Sequence, residues 1–220
     1  IRPAVDFGLI NAARHGIARE SLGLPSDAPV LLLADPPSRA GGHYRAIWAA
    51  ALLQQIWPDL KVVMPGVSKE SRRMKRFVAS FNLSRMLVST GRDIPFEQLL
   101  SVCDIFVTAA NADVACGSLV WAMAGGLPIV GCAVPSVAEY IADHQNGLLC
   151  KPNDIVALAT RIRTAYRERD LARSLAETAR GQAYQLFSLS NMIRNYATLY
   201  DNVLTGHSPF AGIQDASQVA

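Results

Sequence analysis

Charged residues are scarce in this sequence. Of its 220 residues, 18% are Asp, Glu, Lys or Arg and 50% are hydrophobic. Globular domains usually carry about a quarter charged residues, so this chain lies on the apolar side of the ordinary range. Such a composition excludes intrinsic disorder, collagen and coiled coil. It leaves a deeply buried central element or a membrane segment as the two explanations.

The membrane explanation can be tested on the longest stretch without a charge, residues 114–138. A membrane-spanning helix needs about 20 consecutive apolar residues. Here Gly117, Gly125, Gly126, Pro128 and Pro135 divide the stretch into short pieces. The pattern therefore predicts a helix, a turn and a buried strand in succession.

Motifs that hold metals or disulfides are also missing. The four cysteines, Cys103, Cys116, Cys132 and Cys150, are too far apart for a CxxC site. This excludes a zinc ribbon and favours buried, reduced thiols in a cytoplasmic protein. The net charge of +3 comes without a basic stripe interleaved with aromatics, so no nucleic-acid partner is expected. Because the first residue is Ile1 rather than Met, we expect a fragment or a processed chain.

Short apolar runs alternate with helical patterns through the first two thirds of the chain. The predicted strands are 30–34, 60–64, 85–89, 104–108, 128–132 and 147–150. The predicted helices between them are 43–57, 68–81, 96–102, 117–124 and 136–142. Uniformly apolar strands are typical of a sheet covered on both faces. The alternation predicts an α/β fold: a Rossmann-like, doubly wound parallel sheet of about six strands with helices on both faces.

The pattern changes at both ends of this region. After residue 151 only helices are predicted, the first capped by Asn153 or Asp154 and the last by Ser188. Residues 1–27 have no clear period and are interpreted as an interdomain linker. The predicted domain is 28–205, and 206–220 is predicted to be a flexible tail.

Two loops fall where ligands bind in open parallel sheets, beyond the carboxyl ends of the strands. The first, 35–42, offers Arg39 to a phosphate and Gly42 for close backbone approach. The second, 111–118, offers the amides of Gly117 and Ser118 at a helix start. The alternatives are a Pro/Gly turn with a solvated arginine and a plain helix cap.

Two further features carry weaker signals. Glu139 follows Ser136 by three residues, the spacing of a capping box at a helix start. Five basic residues lie on the predicted helix 68–81: Lys69, Arg72, Arg73, Lys75 and Arg76. This helix presents either a solvated face or a surface for acidic lipid, so peripheral membrane association stays open.

Several segments together resemble a known family. Residues 129–141 read IVGCAVPSVAEYI and residues 145–150 read QNGLLC. Further matches are LGLPSDAPVLL at 22–32, CDIFV at 103–107, AMAGGLP at 122–128 and the Phe187-Ser188 step. Their order and spacing resemble the C-terminal, donor-binding half of the group 1 glycosyltransferases of the GT-B fold. The similarity runs in register from about residue 1 to residue 204.

The resemblance implies a retaining, metal-independent glycosyltransferase that uses a nucleotide-diphospho-sugar donor and no cofactor. A second Rossmann-like domain, preceding this one, would bind the acceptor, so this chain alone is expected to be inactive. In the family, an arginine, a lysine and helix-terminal amides neutralise the diphosphate. Two glutamates eight residues apart contact the sugar and the ribose. Gly42 and Glu139 match further donor-site positions.

The sequence departs from the family at several of these positions. Pro36 and Gly41 stand where the family has the arginine and the lysine, which leaves Arg39 as a substitute. Asp113 and Trp121 stand where the family has the two glutamates. Asp113 can still contact a sugar, whereas Trp121 cannot replace a ribose-binding carboxylate and would either stack on a ligand or fill space. Two hypotheses follow: a glycosyltransferase with a rebuilt donor site, or a non-catalytic binding module of the same fold.

Overall fold

The structure is a computed structural model, and it describes residues 3–13, 16–34, 37–66, 68–91, 93–113 and 117–208. Within these ranges the chain forms one parallel sheet of six strands. The strands are β1 (Val30–Leu32), β2 (Lys61–Pro65), β3 (Leu87–Thr90), β4 (Ile105–Thr108), β5 (Ile129–Cys132) and β6 (Leu148–Cys150). All six lie where apolar runs predict them. Their order across the sheet is β3-β2-β1-β4-β5-β6.

Helices cover both faces of the sheet, as predicted. Those between strands are α2 (His43–Leu53), α3 (Lys69–Ser80), α4 (Phe96–Val102), α5 (Gly117–Gly125) and α6 (Pro135–Ala138). Those after the last strand are α7 (Ile155–Arg167), α8 (Arg169–Phe187) and α9 (Leu189–Leu204). In the described ranges no helix is both long and apolar enough to cross a membrane.

Two hydrophobic layers, one on each face, hold the sheet between the helices. One layer joins Leu99 of α4, Leu119 of α5 and Ala179 of α8 to Phe106 of β4. The other joins residues of α2, α3 and α7 to the opposite face of the same strands. Strands β1 and β4 are buried at every position, which explains why they lack the polar alternation of a solvated sheet.

Local capping sets several of the helix starts. Asp154 is the N-cap of α7, and its side chain accepts a hydrogen bond from the Ala157 amide at 2.8 Å. Ser68 caps α3 in the same way through the Ser71 amide at 3.0 Å. The capping box predicted at Ser136 and Glu139 is wrong, because α6 begins at Pro135 with Val134 as its N-cap. Glu139 is instead the C-cap residue of this short helix.

Residues ahead of β1 are more ordered than their sequence indicates. They contain helix α1 (Phe7–Ala13) and a 3₁₀ helix (Arg19–Leu22). Val5 and Ile10 are buried in the same layer as α4 and α5, and the Val5 amide donates to the Phe187 carbonyl at 2.7 Å. Packing against the domain therefore orders much of 1–27. That this segment also links to a second domain stays a prediction, and residues 209–220 of the predicted tail lie outside the described residues.

Candidate functional site

The candidate site lies at the carboxyl edge of the sheet, where the strand order reverses. Strand β1 pairs with β2 on one side and with β4 on the other. The loops that leave β1 and β4 therefore run in opposite directions from a shared crevice. Open α/β sheets bind ligands at such a switch point. Both loops predicted from the sequence meet there.

The loops after β1 and β4 are fastened together by backbone and side-chain hydrogen bonds. The Asn111 amide donates to the Ala40 carbonyl at 2.9 Å. With its side-chain amide in the orientation that satisfies its neighbours, Asn111 also donates to the carbonyls of Arg39 and Ala40. The oxygen of that side chain then accepts from the Arg45 guanidinium at 3.2 Å. Asn111 thus fixes the backbone around Arg39 and orients Arg45.

Gly42 lies directly against the loop after β4. Its φ is +71°, in the left-handed region, and a Cβ there would lie 1.6 Å from the Ala109 carbonyl oxygen. No other residue fits without moving the backbone of one loop. The structure places Gly42 against Ala109, and the predicted close approach of its backbone to a ligand stays a prediction.

Position 41, where the resembled family has a lysine, is closed by its neighbours. The Ser38 hydroxyl oxygen accepts from the Gly41 amide at 2.8 Å, and the Ser38 amide donates to Nδ1 of the buried His43 at 3.3 Å. A Cβ on Gly41 would lie 2.8 Å from the Ser38 Oγ and 3.0 Å from the His43 ring. A longer side chain at this position needs the loop to rearrange.

Arg39 is exposed and lies at the mouth of a cleft on the α2 side of the loop. The cleft has a volume of about 660 Å³ and is lined by Arg39, Ala40, Tyr44, Arg45, Trp48, Phe77, Asn111 and Ala112. Sequence reasoning found Arg39 but missed Arg45 and Asn111. Arg45 lies in the first turn of α2, three residues after Gly42. A basic side chain is unusual at a helix N-terminus, because the positive end of the helix dipole disfavours it, and this is the signal in the sequence that could have identified Arg45.

Asp113 links the β4 loop to the β5 loop. Its Oδ1 accepts a hydrogen bond from the Ser136 amide at 2.8 Å, and the residue itself is exposed. The carboxylate is therefore held by one bond on one side while the side chain still faces solvent. This is an arrangement that can accept further hydrogen bonds from a ligand hydroxyl.

The start of α5 is open to solvent. Gly117 is exposed, and a Cβ added to it would meet no atom of the described residues within 4 Å. Ser118 follows at the second position and is half-buried. Since the first turn of α5 carries no acidic side chain, the positive end of the helix dipole is not neutralised from within the helix. Residues 114–116, part of the predicted loop, lie outside the described residues.

Trp121 packs against apolar neighbours and carries no carboxylate. It is half-buried against the layer that contains α4 and α5, with its ring 6.4 Å from that of Phe96 at an angle of 74°. A carboxylate from the same helical position would have faced this aromatic neighbour. The ribose contact of the resembled family has no counterpart at this position.

Glu139, the remaining predicted site residue, is exposed at the end of α6, three residues beyond Ser136. It belongs to the segment after β5, which the hydrogen bond from the Ser136 amide to Asp113 connects to the β4 loop. The described residues contain no group of three or more His, Cys, Asp or Glu side chains that could hold a metal ion.

Comparison with known sequences identifies the family of this fold. A sequence model for the family described as "Glycosyl transferases group 1" matches residues 16–182. The chain belongs to this family. It is also 25% identical over 146 residues to N-acetyl-alpha-D-glucosaminyl L-malate synthase of Bacillus anthracis, covering 66% of this chain and 38% of that protein.

Solved structures show the same fold. A glycosyltransferase from Rickettsia africae superposes with a TM-score of 0.81 at 22% identity, over 93% of this chain and 56% of that one. HepE from Anabaena, in complex with UDP-glucose, superposes with a TM-score of 0.79 at 20% identity, over 90% of this chain and 56% of that one. This chain therefore corresponds to about half of each of these structures, and to the GT-B fold.

Proposed function

We propose that this chain is the donor-binding half of a glycosyltransferase that uses a nucleotide-diphospho-sugar. The observation that carries the proposal is the exposed start of α5 beside Asp113, at the switch point of a group 1 glycosyltransferase fold. The complex of HepE with UDP-glucose supports a nucleotide sugar as the donor class. The nucleotide and the sugar of this chain are open.

Each candidate residue has a physical role in this proposal. The amides of Gly117 and Ser118 bind the diphosphate with help from the α5 dipole, and Arg39 supplies the positive charge. Asp113 accepts hydrogen bonds from the sugar. Preorganised donors of this kind stabilise a departing diphosphate as its charge develops, which is how metal-independent transfer with retention would proceed. Glu139 contributes a second carboxylate at the edge of the site.

Transfer also needs an acceptor, and we assign its binding to a separate N-terminal domain. The match covers 38% of the Bacillus anthracis relative and 56% of the Rickettsia africae structure, which leaves room for a second domain in the whole protein. The 220-residue chain alone is then expected to transfer no sugar. A cytoplasmic location is part of the same proposal.

A second candidate function is favoured by the filled positions of the site. Trp121 packs on Phe96, and Gly41 is enclosed by Ser38 and His43. These contacts occupy the places where the resembled family has a ribose-binding glutamate and a lysine. A binding module that has lost catalysis would show the same features.

Calorimetric titration with nucleoside diphosphates and their sugar conjugates separates the two functions. The donor-site proposal predicts binding of at least one diphosphate and tighter binding of its sugar conjugate. Asp113→Asn keeps an oxygen for the Ser136 amide, so the chain should fold normally while the extra affinity for the conjugate falls. Asp170→Asn, at a fully exposed carboxylate on α8, is the matched control.

The outcome that would refute the donor site is equally concrete. Absence of binding to every nucleotide at millimolar concentration, in the protein with its N-terminal half present, would exclude it and leave the binding module. Equal loss in Asp113→Asn and Asp170→Asn would show that Asp113 has no specific role.

A further inference from the structure

The basic excess of this chain is concentrated in one helix. Helix α3 has five basic residues and one acidic residue, whereas the whole chain has 21 basic and 18 acidic residues. Outside α3 the charges therefore nearly balance. The five basic side chains, Lys69, Arg72, Arg73, Lys75 and Arg76, are all exposed.

Few of these charges are paired with an acidic side chain in the described residues. The salt bridge from Arg73 to Glu70, at 3.1 Å and with both side chains about half exposed, is the ion pair that α3 makes within the described ranges. Exposed pairs of this kind contribute little to stability. The fold is held instead by Met74 and Val78 on the opposite side of the helix. Neither folding nor the candidate donor site accounts for the cationic side.

An apolar strip runs beside the cationic residues along the seam between α2 and α3. Trp48 of α2 packs edge to face on Phe77 at 5.7 Å and on Phe81 at 4.8 Å. Leu52, one turn beyond Trp48, is 48% exposed, and Ile56, in the turn after α2, is 43% exposed. Phe81 is 49% exposed at the end of α3. We call these apolar side chains, together with the five basic residues of α3, the α2–α3 face.

Two further basic residues, Arg39 and Arg45, lie at the start of α2. The cleft described above opens there, with the guanidinium groups of Arg39 and Arg45 and the rings of Tyr44 and Phe77 in its walls. A phosphate that entered it would meet two cations beside an apolar wall. Cationic and apolar surfaces that adjoin in this way match the two layers of a lipid interface.

We propose that the α2–α3 face binds the surface of an anionic membrane, with its basic residues at the lipid phosphates and Trp48, Leu52 and Phe81 at the acyl boundary. Charge complementarity and the adjoining aliphatic side chains carry the assignment. The rings of the face pack edge to face on one another, so they supply apolar bulk rather than free planes for stacking nucleic-acid bases.

Vesicle sedimentation tests the charge requirement. The chain should bind vesicles of phosphatidylcholine mixed with phosphatidylglycerol, release them at high salt, and leave pure phosphatidylcholine vesicles unbound. The triple variant Arg72→Gln, Lys75→Gln and Arg76→Gln should bind roughly a hundredfold more weakly, at about fivefold per charge. The control variant Arg163→Gln, Arg173→Gln and Arg194→Gln removes three exposed charges from α7, α8 and α9. It should retain most of the binding.

Fluorescence quenching by brominated lipid tests the orientation. Of the three tryptophans, only Trp48 lies on the α2–α3 face, since Trp57 packs on Tyr166 and Trp121 on Phe96. Brominated lipid should quench the wild-type emission, and Trp48→Phe should lose most of that quenching while its melting temperature shows that it is folded.

Three results would overturn the proposal. They are equal binding to neutral and anionic vesicles, equal losses in the α3 and control variants, and quenching that persists in Trp48→Phe. If single-stranded RNA bound the wild type and the α3 variant lost that binding alone, the surface would belong to nucleic acid instead. None of these measurements depends on nucleotide binding, so they fail or succeed separately from the donor site.

Discussion

The two loops at the switch point differ in how much of their polar surface the protein itself uses. The β1 loop is closed: Ser38, Gly41 and His43 are joined by hydrogen bonds, and Gly42 touches the Ala109 carbonyl. The segment from Asp113 to the start of α5 is open, with Gly117 exposed to solvent. The β1 loop therefore uses polar groups of Ser38, Gly41 and His43 internally and leaves Arg39 exposed, whereas the segment from Asp113 to α5 still offers its groups to a ligand.

The largest difference in stability is expected between alanine replacements of Gly42, in the closed β1 loop, and of Gly117, at the open start of α5. Gly42→Ala places a Cβ 1.6 Å from the Ala109 oxygen at a left-handed φ, so it should destabilise the domain by about 3 kcal/mol or more. Gly117→Ala meets no neighbour and should change the free energy of unfolding by less than about 1 kcal/mol, in the stabilising direction. Urea unfolding of both variants measures the difference. Similar midpoints would mean that the two loops are equally adaptable.

Restoring the lysine of the family should show whether the closed wall can reopen. Gly41→Lys forces Ser38 and His43 apart and should cost about 1–3 kcal/mol. It should not increase the affinity for nucleoside diphosphates in calorimetry. Gly181→Lys, on α8 where a Cβ meets nothing within 4 Å, is the matched control and should be stable. A gain in diphosphate affinity at position 41 would indicate that the β1 loop opens readily.

The smallest effect is expected from the bond between the β4 and β5 loops. Asp113→Ala removes the acceptor of the Ser136 amide and should lower the free energy of unfolding by about 1 kcal/mol, whereas Asp113→Asn should be nearly neutral. Hydrogen exchange at the Ser136 amide should speed up in the alanine variant alone. An unchanged exchange rate in the alanine variant would show that the Ser136 amide is not protected by Asp113.

Most of the fold could be predicted from local pattern because burial on both faces makes each strand uniformly apolar. The runs at 104–108 and 128–132 each contain the observed strand to within a residue at either end. Asp154 was one of two predicted caps of α7, and its hydrogen bond confirms it. At α6 two local signals compete, since Ser136 has the spacing of a capping box and Pro135 suits a first helical position. The proline decides the boundary, and α6 starts at Pro135, one residue before the predicted start at Ser136.

The interior of the site could not be predicted in the same way, because its contacts join residues distant in sequence. Nothing near Asn111 indicates that its side chain reaches Arg39 and Arg45. The order of 1–27 has the same origin, since Val5 gains its partner from Phe187 at the far end of α8. Such contacts follow from the assembled fold and leave no periodic pattern.

The bond between Ala40 and Asn111 has a consequence for the timing of folding. Between these residues lie α2, β2, α3, β3, α4 and β4, so the bond can form only once β4 has paired with β1 across this long loop. Closing so long a loop is slow relative to forming the helices within it. The ligand edge therefore matures after the helices that this loop contains. A nascent chain would become competent for binding only once β4 has emerged and paired.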